Sequence, residues 1–130
     1  MLGYVTIGAN DQTKAVAFYD AVLGAIGYVR AFDKGGWAGY GPEGSSSQSI
    51  FVVSSTANGE PARAGNGIMI ALKANSKAEV DAAHKAALKA GGTDEGKPGP
   101  RPEGSKDFYG AYMRDPTGNK ICVYAKMTAK

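Results

Sequence analysis

The chain is short of the residues that most often carry chemistry: one cysteine, one histidine and one tryptophan occur among 130 residues. The single cysteine, Cys122, excludes an internal disulfide and fits a reducing, cytoplasmic compartment. No apolar run approaches the roughly 20 residues that span a bilayer, and the opening MLGYVTIGAND lacks the pattern of a secretory leader, so no membrane is expected. The formal charge is only +3 and the lysines are scattered. Without a basic cluster or an aromatic platform, no nucleic-acid partner is expected either. What the chain does have is glycine, 19 of them, which implies many tight turns between short elements. Its length suits a single domain over residues 1–130 that buries about two-thirds of its unfolded surface without staples.

The pattern reads as two similar halves. Residues 3–9 alternate as a strand, and Asn10 and Asp11 offer cap oxygens to a helix. That helix places Ala15, Phe18, Tyr19, Val22, Leu23 and Ile26 on one stripe and stops at Gly24 and Gly27. Strands are predicted at 28–33, 36–41 and 48–54. In the second half Ile68–Leu72 reads as a buried strand, Ser76 and Glu79 form a capping box, and Val80, Ala83, Ala87 and Leu88 give the helix its inner face. Gly91 and Gly92 stop that helix, and strands follow near 108–114 and 119–126. Asn10 and Asn75, and likewise Gly27 and Gly92, lie 65 residues apart, while Pro42-x-Gly44 and Pro116-x-Gly118 sit in matching turns. A β-α-β-β-β unit used twice, as modules 1–54 and 67–130 joined by a Ser-, Asn-, Gly- and Pro-rich linker at 55–66, is the simplest reading.

On ND-x-x-x-A-x-x-FYDAVLG (10–24), the strand-helix-GG segment 68–92 and the closing RDPTGNKICVY (114–124), the sequence resembles the vicinal oxygen chelate superfamily. Glyoxalase I, bleomycin-resistance proteins and extradiol dioxygenases belong to it. The resemblance implies an α+β fold of two paired βαβββ modules forming a curved mixed sheet with a cleft. In the metal-dependent members, His, Glu or Gln side chains from the first and last strand of each module hold a Lewis-acidic metal there.

Aligned on the family pattern, those four positions fall on Tyr4, Phe51, Met69 and Cys122. Phenol, phenyl, thioether and thiol are not a donor set for a hard divalent ion, so no metal and no cofactor is expected. One-residue slips bring only Val5, Ile50, Val52, Ile68, Ile70, Ile121 or Val123, which are no better. His84, in AAHKAA, reads as a structural helix residue. The expected cleft is apolar and aromatic: Tyr4, Phe51, Met69 and Cys122, with Trp37, Tyr109 and Tyr112 on neighbouring strands. Arg114 stands either beside the cleft, as a local partner of Asp115, or solvated at a strand end, and an arginine at 101 near the cleft would suit a carboxylate or phosphate. The segment 96–107 is either a lid or a disordered connection. Burial on an internal strand should raise the pKa of Cys122 and leave it inert.

The expected function is binding of a small apolar or aromatic molecule, in a homodimer. The alternative is a lyase or dioxygenase of the same superfamily with an atypical or absent metal site, in which Tyr4 serves as acid or base.

Overall fold

A computed structural model describes residues 1–127; residues 128–130 of the second module lie outside the described residues. The element order is β1 (Val5–Gly8), α1 (Gln12–Gly24), β2 (Tyr28–Lys34), β3 (Trp37–Pro42), β4 (Ile50–Val53), β5 (Ile70–Lys73), α2 (Lys77–Lys89), β6 (Thr93–Pro100), β7 (Phe108–Arg114) and β8 (Lys120–Lys126). The helices open at Gln12 and Lys77 and close at Gly24 and Lys89, so both bounds repeat at the 65-residue offset read from the sequence. Asp11 caps α1 by accepting from the Lys14 N–H, and Ser76 caps α2 by accepting from the Glu79 N–H. The Glu79 carboxylate reaches back to the Asn75 N–H (2.8 Å), one residue earlier than the ideal capping box.

Each half builds its own open four-stranded sheet, ordered β1-β4-β3-β2 and β5-β8-β7-β6. The pairs β1–β4 and β5–β8 are parallel and the rest antiparallel. This is an α+β architecture of two βαβββ units. The helices cover one face of the sheets, and the core lies between. Phe18, Tyr19, Val22 and Leu23 of α1 are fully buried, as are Ala38, Tyr40 and Val52 of the first sheet. Val80, Ala83 and Ala87 of α2 meet Ala111, Met113, Ile121 and Val123 of the second. Each large side chain so buried stabilises the fold by about 1.5–3 kcal/mol.

Polar bonds tie the halves together at one end. The Tyr19 hydroxyl donates to Asp115 Oδ2 (2.6 Å), Asn119 Nδ2 to the Gly8 carbonyl (2.9 Å), and the Asn10 N–H to Thr117 Oγ1 (3.2 Å). Burial and the adjacent Asp115 carboxylate raise the Tyr19 pKa, so this phenol remains a donor.

Four expectations are corrected. Residues 96–100 are strand, being part of β6, not a lid or a disordered connection. As the outer strand of its sheet, β6 tolerates Pro98 and Pro100, and bulges interrupt its pairing with β7. The buried strand expected at Ile68–Leu72 begins only at Ile70; Ile68 and Met69 are 64% and 41% exposed. Tyr109 points to the helix side, donating to Asp81 Oδ1 of α2 (2.6 Å), and is not a cleft residue. Arg114 binds Glu95 Oε2 (3.2 Å) and the Gly118 carbonyl (2.9 Å), not Asp115. His84 is buried on α2 against Asp94 (2.8 Å), as a structural histidine should be.

Candidate functional site

Strand alternation sends every second side chain to the helix-free face, here called the open face. On the first sheet Val5, Ile7, Ile50, Val52, Ala38 and Tyr40 pack inward, which turns Tyr4, Thr6, Phe51 and Trp37 outward. Phe51 is the hub of an aromatic cluster. Tyr4 stands edge-on to it at 5.3 Å between centroids, Trp37 at 5.8 Å, and Phe32 lies tilted at 6.2 Å. The cluster is only half covered: Tyr4, Trp37 and Phe32 are 63%, 40% and 38% exposed. Gly39 permits the stack, because a Cβ there would lie 2.5 Å from the Phe32 ring and 3.1 Å from that of Phe51.

The open face of the second sheet has a different chemistry. Tyr112 pairs across the ladder with Cys122, and two cations face the Tyr112 ring: Arg101 at 5.5 Å and Lys120 at 5.8 Å from its centroid. Arg101 is held by the carbonyls of Lys97 (2.6 Å) and Pro100 (3.1 Å). Burial raises the Cys122 pKa; the Tyr112 hydroxyl and the Arg101 and Lys120 charges pull it back only in part. The Tyr112 phenol is also raised, first by burial and then by the neighbouring thiol. Both groups therefore hold their protons near neutrality.

The sheets meet where β1 faces β5. A cavity of about 250 Å3 opens at this seam, lined by Thr6, Gly8, Met69, Asn119, Lys120 and, from the linker, Arg63. A second opening of about 220 Å3 at the other end of the seam is lined by Tyr4, Ser49, Ala71 and Lys73. The linker is fastened over the open face. Asn10 accepts from the Ala62 N–H (2.7 Å) and donates to the Ala62 carbonyl (3.0 Å). Gly8 lets it approach, since a Cβ there would come within 2.8 Å of the Ala62 Cβ.

The structure therefore brings Tyr4, Phe51 and Trp37 into contact on one sheet and pairs Tyr112 with Cys122 on the other. Met69 sits between the sheets at the seam, and Arg114 lies at the rim of an adjoining opening. Sequence reasoning missed Phe32, Lys120 and Arg63. Alternation from Cys122 points to Lys120 as a same-face neighbour. Nothing in the local pattern of the linker marks Arg63.

A family model described as the Glyoxalase/Bleomycin resistance protein/Dioxygenase superfamily matches residues 1–123, and the chain belongs to that superfamily. A glyoxalase/bleomycin resistance protein from Albidiferax ferrireducens is 36% identical, with a TM-score of 0.85 over 96% of this chain and 98% of that one. A glyoxalase-related enzyme from Fulvimarina pelagi shares the fold at 18% identity and a TM-score of 0.73, covering 96% of this chain and 87% of its own. An antibiotic binding protein from a Streptomyces species does so at 21% identity and a TM-score of 0.64, covering 97% and 95%. Comparison with curated proteins found no match. Among the described residues no helix is long and apolar enough to cross a membrane.

Proposed function

We propose that this chain binds small, flat, apolar or aromatic molecules on its open face, as a homodimer and without a resident metal. The observation that carries the reading is the half-exposed aromatic cluster around Phe51. Aromatic rings gathered on an open sheet and left partly in water offer a stacking surface, and exposed apolar patches of this kind mark binding sites. Tyr4, Trp37 and Phe51 would stack on the ligand, and Met69 and Tyr112 would form the facing wall, with Cys122 buried beside Tyr112 and Arg114 at the rim. This reading takes residues 1–130 as one domain of modules 1–54 and 67–130, with the linker 55–66 helping to wall the site. A fold neighbour that is an antibiotic binding protein is in keeping with a binding role.

The donor chemistry supports the metal-free part. Tyr4, Phe51, Met69 and Cys122 supply no imidazole and no carboxylate, and a buried thiol with a raised pKa is a poor ligand for a hard ion. Binding of divalent metals is tested by elemental analysis of untagged protein; near-stoichiometric metal would overturn this part. Trp37 is the one tryptophan and touches Phe51, so its fluorescence reports on the site directly. Titration with a panel of planar aromatic compounds should change that emission with saturation, and Phe51→Ala should weaken the response about tenfold. A panel that leaves both the emission and the melting temperature unmoved would sink the reading. Sedimentation at micromolar concentration tests the dimer, with a monomer counting against it.

A further inference from the structure

The seam cavity differs from the aromatic cluster in the charge of its walls. Arg63 and Lys120 line it, while Lys120 and Arg114 line the adjoining opening of about 540 Å3. Among the described residues no carboxylate lines either one. Arg114 is already paired with Glu95, but Arg63 and Lys120 make no ion pair among the described residues. Lys120 lies over the face of Tyr112, and Arg63 follows directly on Ala62, the residue that Asn10 clamps through both backbone groups. Two uncompensated cations from separate segments thus converge on one cavity, one of them held by an anchored backbone. Thr6 and Asn119 add polar groups to the same wall.

The aromatic cluster begins one ladder step away. Thr6 pairs with Phe51, and Tyr4, immediately before β1, is the next outward residue, about 7 Å from Thr6. A molecule with a fused-ring body and one short anionic arm spans that distance. Resting on the reading of the open face as an aromatic binding site, we propose that the ligand is a flat organic anion. Its ring stacks on Tyr4 and Phe51, and its carboxylate or phosphate enters the seam cavity between Arg63 and Lys120. Arg63 gives the anion a planar, two-pronged donor, and Lys120 gives it a point charge.

Isothermal titration with three ligands of one shape tests this: 2-naphthoate, 2-naphthyl phosphate and the neutral 2-naphthamide. At low salt at least one anion should bind about tenfold or more tightly than the amide, and the stronger of the two identifies the arm the cavity takes. Arg63→Gln and Lys120→Gln should each weaken the anions by roughly three- to tenfold and leave the amide unchanged; the double variant should remove the preference. Unaltered melting temperatures would show that the variants fold. Equal affinity for all three ligands, or an equal loss for anion and amide in the variants, overturns the anion subsite and spares the aromatic site. No heat from any of the three overturns both.

Discussion

Both sheets cover a glycine with an aromatic ring across a strand pair, but with the partners exchanged. In the first, Phe32 of β2 lies over Gly39 of β3; in the second, Tyr112 of β7 lies against Gly96 of β6. The first ring joins Phe51, Trp37 and Tyr4 in an apolar patch, whereas the second sits beside a thiol and under two cations. Duplicating a βαβββ unit fixes the backbone register but leaves each outward position free to take its own chemistry. The difference turns one scaffold into a face with an apolar end and a basic end, which is the condition for orienting a ligand.

The largest difference between the halves is in their matched turns. Asp115 is 3% exposed and accepts from the Tyr19 hydroxyl, the Asn119 side chain and the N–H groups of Thr117, Gly118 and Asn119, at 2.6–2.9 Å. The equivalent place in the first half is Gly41, where a Cβ would fall 2.1 Å from the Ser47 carbonyl oxygen. One turn is held by a buried carboxylate, the other by close backbone packing. Asp115→Ala should therefore cost about 3 kcal/mol or more, because it strands several donors and removes the Tyr19 bond between α1 and the second module. Thermal unfolding should show a fall of roughly 10 °C. A drop of only a degree or two would mean that water replaces the carboxylate and that the turns are held alike.

Gly27 and Gly92 occupy the same place in the repeat for unlike reasons. Gly27 has φ +89° and open space around it. Gly92 has an ordinary φ, but a Cβ would sit 2.5 Å from the Phe18 ring, 2.8 Å from the Ala87 carbonyl and 2.9 Å from that of Arg114. Gly27→Ala should cost about 1–2 kcal/mol through backbone strain alone. Gly92→Ala should cost about 2–3 kcal/mol, since two of its three neighbours are backbone atoms that cannot turn aside. Urea unfolding of the pair checks the order, and equal costs would show that α1 shifts freely against the second module.

These cases also show where the sequence was legible. Both helices, their caps and the outward set Tyr4, Phe51, Trp37, Tyr112 and Cys122 follow from periodicity and from the family pattern, since each depends on local spacing. β6 was hidden because its Gly- and Pro-rich sequence carries no strand alternation, and only its outer position makes it tolerable. The role of Asp115 left no local mark because its partner Tyr19 lies 96 positions away. Arg63 was invisible for a similar reason: its place is fixed by Asn10, 52 residues before Ala62 in sequence. Long-range polar contacts leave no period to read.

The two ring-over-glycine pairs should respond unequally to an added methyl group. Gly39→Ala must push aside Phe32, against which the added methyl would lie at 2.5 Å, and should disperse the aromatic patch at a cost of about 1–3 kcal/mol. Gly96→Ala meets the Tyr112 ring at 3.0 Å and the tip of Arg101 at 3.3 Å, and should cost less, about 1 kcal/mol, because both contacts are relieved by a few tenths of an ångström. Trp37 emission should change in the first variant and stay constant in the second. A change in both would mean that the two ends of the open face are coupled.

The smallest effect concerns Cys122. Burial raises its pKa while Arg101, Lys120 and the Tyr112 hydroxyl oppose the rise, so folding retains a proton that the unfolded chain releases near the ordinary thiol value of about 8.5. The sign follows: the folded state binds more protons above that value, so this group's contribution is intact at neutral pH and is lost as pH climbs through the folded pKa. Urea midpoints of the wild type should decline between pH 8 and pH 10 more steeply than those of Cys122→Ala, with Tyr19 and Tyr40 adding a background slope common to both. Alkylation by iodoacetamide at pH 8 should be at least about tenfold slower in the native protein than in urea. Lys120→Gln should slow it again by removing a cation that favours the thiolate. If that variant instead reacts faster, Lys120 serves to cover the thiol, and the basic end of the open face owes its order to packing before charge.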